Sequence, residues 1–103
     1  MGIDVVWKGE SGAVLGEVAD PHMLLSRFVN TVQRAVPESV CLRFLDPVGD
    51  ACFNQLQIPV LAQELALAVR AIGEPRLQSH LAQVRALAER ANALHTYLWF
   101  IGD

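Results

Sequence analysis

Residues 3 to 8 read Ile-Asp-Val-Val-Trp-Lys, with Ile3, Val5 and Trp7 on one face and Asp4 and Lys8 on the other. This two-residue period predicts a half-buried strand. Gly9-Glu10-Ser11-Gly12 is a turn cluster, and Ala13 to Val18 can return beside the first strand, so a β-hairpin is expected. Asp20-Pro21 signals a helix start, because Asp caps free N–H groups and Pro fits the first helical position. Leu24, Phe28, Val32 and Ala35 then recur at helical spacing until Pro37. Val40 to Leu45 alternates two apolar faces, Val40, Leu42 and Phe44 against Cys41, Arg43 and Leu45, and reads as an inner strand. Asp46-Pro47-Val48-Gly49 has the residue preferences of a type I turn.

Ala51 to Ile58 reads as a short strand or an irregular extended segment, since Pro59 biases Ile58 away from helix. A helix is expected from Pro59 to about Ile72, with Leu61, Leu65, Ala68, Val69 and Ile72 as its apolar stripe and Gly73 as its stop. Another runs from Glu74-Pro75 to about Leu94 with Leu77, Leu81, Val84, Ala88 and Ala91 on one side. Thr96 to Ile101 is a strongly strand-forming run. The expected architecture is a single α+β domain over residues 1–103. It has a small mixed or antiparallel sheet of about four strands: the N-terminal hairpin, a central strand and the C-terminal strand. Three helices pack mainly on one face of that sheet.

Composition narrows the function classes. Apolar residues are 52% of the 103-residue chain and charged residues 18%, which excludes a disordered chain. No apolar stretch approaches the ~20 residues of a membrane-spanning helix. Met1-Gly2-Ile3-Asp4 lacks the basic and apolar regions of a secretory signal, so a cytoplasmic protein without a membrane partner is expected. The formal net charge of −3 disfavours nucleic acid, whose binding is driven by phosphate neutralisation. An RNA reading rests only on the last helix, where Arg76, Arg85 and Arg90 stand among Gln78, Gln83, Glu89 and Asn92. Cys41 and Cys52 lack metal-ligand spacing and are expected as reduced thiols. No phosphate-binding loop or nucleophile elbow is present, and no cofactor or metal is expected.

Two groups of residues could carry function. Asp46, Asp50, Asn54 and His95 fall near strand ends, and Asp103 ends the chain. If the strand at 40–45 pairs antiparallel with 96–101, His95 comes near Asp46, and an Asp46/Asp50/His95 group could bind a hard metal or do acid–base chemistry. His22 and His80 stand alone on predicted helices. The second group is Trp7, Tyr97, Trp99 and Ile101, large apolar side chains on the predicted sheet. A domain of this size hides only about 60–70% of its unfolded surface, so these residues are candidates for an interface.

The segment Leu42-Arg43-Phe44-Leu45-Asp46-Pro47-Val48-Gly49-Asp50, continued by Phe53-Asn54-Gln55-Leu56-Gln57, is one of two distinctive blocks. The tail His95-Thr96-Tyr97-Leu98-Trp99-Phe100-Ile101-Gly102-Asp103 is the other. Together they resemble a group of small uncharacterised bacterial proteins sharing an Arg-Phe-x-Asp-Pro-x-Gly-Asp turn and a His-Thr-Tyr-Leu-x-Phe-x-Gly-Asp ending. The resemblance implies a bacterial cytosolic protein and carries no activity. The leading expectation is a non-enzymatic protein-interaction module of regulatory or immunity type, binding a protein partner or itself. A small metal-dependent or acid–base enzyme using Asp46, Asp50 and His95 is the alternative, and RNA binding through the last helix is the third.

Overall fold

The computed structural model describes residues 2–102. The hairpin forms as expected, with β1 at Asp4–Gly9 and β2 at Val14–Val18. Two short helices follow, α1 at Leu24–Arg27 and α2 at Val29–Ala35. Then come β3 at Asp50–Asn54, α3 at Ile58–Ala71, α4 at Pro75–Arg90 and β4 at Thr96–Ile101. The sheet order is β2-β1-β4-β3 and every neighbouring pair is antiparallel. The C-terminal strand therefore lies inside the sheet, flanked by β1 and β3, where its apolar content is useful on both faces.

The alternation along β4 orients the whole molecule. Thr96, Leu98 and Phe100 are buried, whereas Tyr97, Trp99 and Ile101 are half-buried. Leu98 and Phe100 pair with Trp7 and Val5 on one side and with Phe53 and Ala51 on the other. These residues belong to one core with Leu61, Leu65 and Ala68 of α3 and Leu77, Leu81, Val84 and Leu87 of α4. Phe53 and Phe100 meet edge to face with ring centroids 5.7 Å apart, a favoured aromatic geometry. All helices thus cover a single face of the sheet.

The structure corrects the expectation for residues 40–45. They form no strand; Leu42–Phe44 is a single 3-10 turn, and the strand is Asp50–Asn54 instead. The cause lies in side chains from two helices. Glu64 of α3, buried, accepts hydrogen bonds from the amides of Val40, Cys41 and Leu42 at 2.7, 3.1 and 3.0 Å. The Gln33 amide of α2 donates to the carbonyls of Leu42, Arg43 and Leu45. With its backbone groups satisfied this way, the segment has no need of a ladder. Its apolar side chains are split accordingly: Cys41, Leu42 and Leu45 enter the core, and Val40 and Phe44 face solvent.

The helix expected from Pro21 is also interrupted. Phe28 adopts φ −112 and ψ 22, separating α1 from α2. Pro21 precedes the helix in a turn, and Met23 at its N-cap takes the left-handed conformation, φ 55. Asp20 still serves the helix start, but from further back than an N-cap residue. The helix α3 matches its expected span to within one residue at each end, and α4 starts as expected but ends at Arg90, a turn short of Leu94. Glu74 caps α4 by accepting from Leu77 N at 2.6 Å, and Gln78 closes the end of α3 by donating to the Val69 and Ile72 carbonyls. No helix among the described residues is long and apolar enough to cross a membrane.

Candidate functional site

The residues expected to make a polar cluster are distributed to opposite ends of the sheet. Antiparallel pairing sets Asp50 against Ile101 and Asn54 against Tyr97. His95, just before β4, therefore lies beyond the Asn54 end, six strand residues or roughly 20 Å along the sheet from the level of Asp50. Its amide donates to Gln55 Oε1, and its Nδ1 lies 4.0 Å from Glu10 Oε2 on an exposed surface. The backbone of His95 is left-handed, φ 54, which turns the chain from α4 into β4. Among the described residues no group of three His, Cys, Asp or Glu side chains is placed to hold a metal ion.

Asp46 has a structural task at the other end. Its Oδ1 accepts from Val48 N at 2.9 Å, the Asx geometry that shapes a turn. Gly102 N donates to Gly49 O at 2.9 Å, and a Cβ at Gly102 would collide with the Asp46 and Gly49 carbonyls. The Asp-Pro-x-Gly turn and Gly102 are thus in close contact, which gives Asp46, Gly49 and Gly102 a structural task. Asp103 lies outside the described residues. Asn54 likewise shapes a turn, accepting from Leu56 N and Gln57 N through Oδ1.

The interface candidates divide between the two faces. Trp7 stands with Leu98 on the helix-covered face, where its indole N–H donates to the Thr96 hydroxyl and the Arg90 guanidinium lies 5.9 Å from the ring. It is a core-edge residue. Tyr97, Trp99 and Ile101 all point to the uncovered face.

The register arranges that face in rows. The central row is Glu17, Val6, Trp99 and Cys52; one end row is Asp4, Ile101 and Asp50; the other is Val14, Lys8, Tyr97 and Asn54. Val6 is buried by its neighbours although no helix covers it. Lys8 Nζ lies 5.7 Å from the Trp99 ring centroid, within cation–π range. The result is an aromatic and aliphatic stripe, Val6-Trp99 and Tyr97-Ile101, with carboxylates at one end and an ammonium at the other. Burial raises the pKa of the exposed-edge thiol Cys52, with Lys8 opposing the shift in part. Cys52 is therefore a neutral thiol at pH 7 and a weak nucleophile.

The last helix does not present its polar residues as one surface. Gln78 is committed to the end of α3, Arg85 pairs with Glu89 at 3.4 Å, and Arg90 lies over Trp7. Three residues to which sequence reasoning gave no place in a site prove structurally central: Glu64, Asp20 and His80 are all buried. For His80 a signal existed, because it follows Leu77 by three and precedes Val84 by four on the apolar stripe. Glu64 carries the same mark, following Leu61 by three and preceding Ala68 by four, although its amide partners lie 22 to 24 residues back. Asp20 shows only as a helix-start residue, and its bond to Ile3 N, 17 residues back, has no local signal. The chain matches no known protein family, no curated protein and no solved structure.

Proposed function

We propose that this protein is a non-enzymatic interaction module of the bacterial cytosol that pairs with a second copy of itself through the uncovered sheet face. The observation that carries the reading is the opposite charge at the two ends of the apolar stripe, Asp4 and Asp50 against Lys8. A two-fold axis lying between two such faces, perpendicular to the strands, reverses one face end for end. Lys8 of each copy then meets Asp4 of the other, with Asp50 two strands across, while Trp99 and Val6 stack near the axis. Such self-complementarity is what an isologous interface requires, and Trp and Tyr near its centre are the residue types that dominate interface energetics.

Four strands give a face of roughly 19 by 17 Å, below the ~800 Å² per partner of a standard interface. The dimer is accordingly weak and dependent on concentration. Sedimentation velocity across a concentration series tests it. The wild type shifts towards twice the monomer mass as concentration rises, Lys8→Asp abolishes the shift, and Lys8→Asp with Asp4→Lys restores it. A wild type that stays monomeric into the millimolar range, or a double variant no better than the single, overturns the reading.

A further inference from the structure

Away from the uncovered face, an open cleft of about 590 Å³ lies between the Asp20–His22 turn and the first half of α4. Its volume falls in the range of small-molecule sites. On α4 the cleft is lined by Arg76, Ser79, His80 and Gln83, which follow the spacing i, i+3, i+4 and i+7 and so form one helical stripe. His22 faces them from the turn. Of the polar side chains lining this space, Arg76 only donates, Ser79, Gln83 and the two histidines can donate or accept, and Asp20 is the one carboxylate.

Asp20 does not offset the donors among them. Its side chain has no exposed surface, and its carboxylate is already occupied by backbone. Oδ1 accepts from Leu24 N at 2.7 Å, and Oδ2 from Ile3 N, Leu25 N and Ser26 N at 3.0, 3.1 and 3.2 Å. A carboxylate surrounded by amides in this way is held in place and its charge is largely compensated. Gly2 fits against it because a Cβ there would overlap the Asp20 backbone and side chain.

His80 is the unexplained member. It is more than nine-tenths buried, and its Nε2 makes no hydrogen bond, lying 3.7 Å from Asp20 Oδ1. That distance is too long for a hydrogen bond, and an unpaired buried imidazole nitrogen is costly. His80 Nε2 faces the Asp20 carboxylate, and the residue also lines the cleft. Arg76, exposed and without an ion pair among the described residues, supplies the planar fork that suits an oxyanion.

We infer that this cleft binds the oxyanion group of a small molecule, a phosphoryl or carboxylate group held by Arg76, His80, His22 and Ser79. An amine ligand is disfavoured because the one carboxylate present is sealed from the cleft.

The test titrates inorganic phosphate and acetate separately into the full chain at about pH 6.5, close to the ordinary imidazole pKa. Chloride at matched ionic strength is the reference, and the His80 ring protons and the Ser79 and Gln83 amides are followed by NMR. Saturable shifts with phosphate alone identify a phosphoryl ligand, with acetate alone a carboxylate, and with both a general oxyanion site. Arg76→Gln, on an exposed residue that the fold does not use, weakens binding at least tenfold while leaving the rest of the spectrum in place. His80→Gln weakens it further. Shifts that do not saturate or merely follow chloride overturn the inference, as does an affinity unchanged by Arg76→Gln.

Discussion

Trp99 and Phe100 are neighbours in the chain and opposites in the fold. Phe100 is 1% exposed, set between Val5 and Ala51 and edge-on to Phe53 beneath the helices. Trp99 stands on the uncovered face, between Val6 and Cys52, with Lys8 over its ring. Two aromatic side chains of similar character thus divide between the packed core and the uncovered face. The difference lies in what the rest of the chain supplies. Four helices pack on one side, and none is left for the other.

The largest expected effect is on the covered side. Phe100→Ala removes a fully packed ring and should cost about 3–5 kcal/mol, read as a lower urea midpoint with an unchanged slope. A loss under about 1 kcal/mol would break the contrast, since it would mean that the covered face is not the one holding the fold. Next comes Glu64→Ala, which strands the amides of Val40, Cys41 and Leu42 in a buried position. A cost of about 3 kcal/mol is expected, with hydrogen exchange at those amides rising before global unfolding.

Alkaline pH probes the same region. Burial, reinforced by the neighbouring Glu64 carboxylate, pushes the Cys41 thiol from 9.0 up to about 11. The folded state therefore holds this proton more tightly than the unfolded chain. The stability tied to it is complete below pH 9.0 and is lost as pH rises towards about 11. Cys41→Ala should flatten the fall in that window. Iodoacetamide at neutral pH should label Cys52 slowly and leave Cys41 untouched, because Cys52 is exposed and Cys41 buried. The smallest effect on stability belongs to Trp99→Ala, expected to cost about 1 kcal/mol or less in the monomer yet to remove concentration-dependent association. A large loss of stability there would place Trp99 among the residues that hold the fold.

Much of the architecture was legible because its signals are local. The alternation of Ile3, Val5 and Trp7, the apolar stripes of α3 and α4, and the Gly-rich turn each act within a few residues. The candidate site was legible only in part. Tyr97, Trp99 and Ile101 share a face by strand periodicity alone, and the structure keeps them together. Trp7 was joined to them because both strands are apolar, but the β1–β4 register sets it opposite Leu98 on the other face. Asp46 and His95 were brought together by taking 40–45 as the strand beside β4. That segment alternates as well as β3 does, and nothing within it announces that Glu64 and Gln33 will occupy its backbone.

The sequence by itself determined which stretches could be helix or strand, that they form one α+β unit, and which side chains share a face. Those properties follow from periodicity and backbone preference, which act over a turn of helix or a pair of strand residues. Only the tertiary structure decided which of two strand-like segments joined the sheet, which face the helices covered, and where Asp20, Glu64 and His80 came to rest. Those outcomes depend on buried donors and acceptors finding partners 17 to 24 residues away for the two carboxylates, Ile3 with Asp20 and Val40 with Glu64. Such pairing is enforced by the cost of leaving a buried polar group unmatched, and helical spacing can mark a buried position without saying which partner it finds.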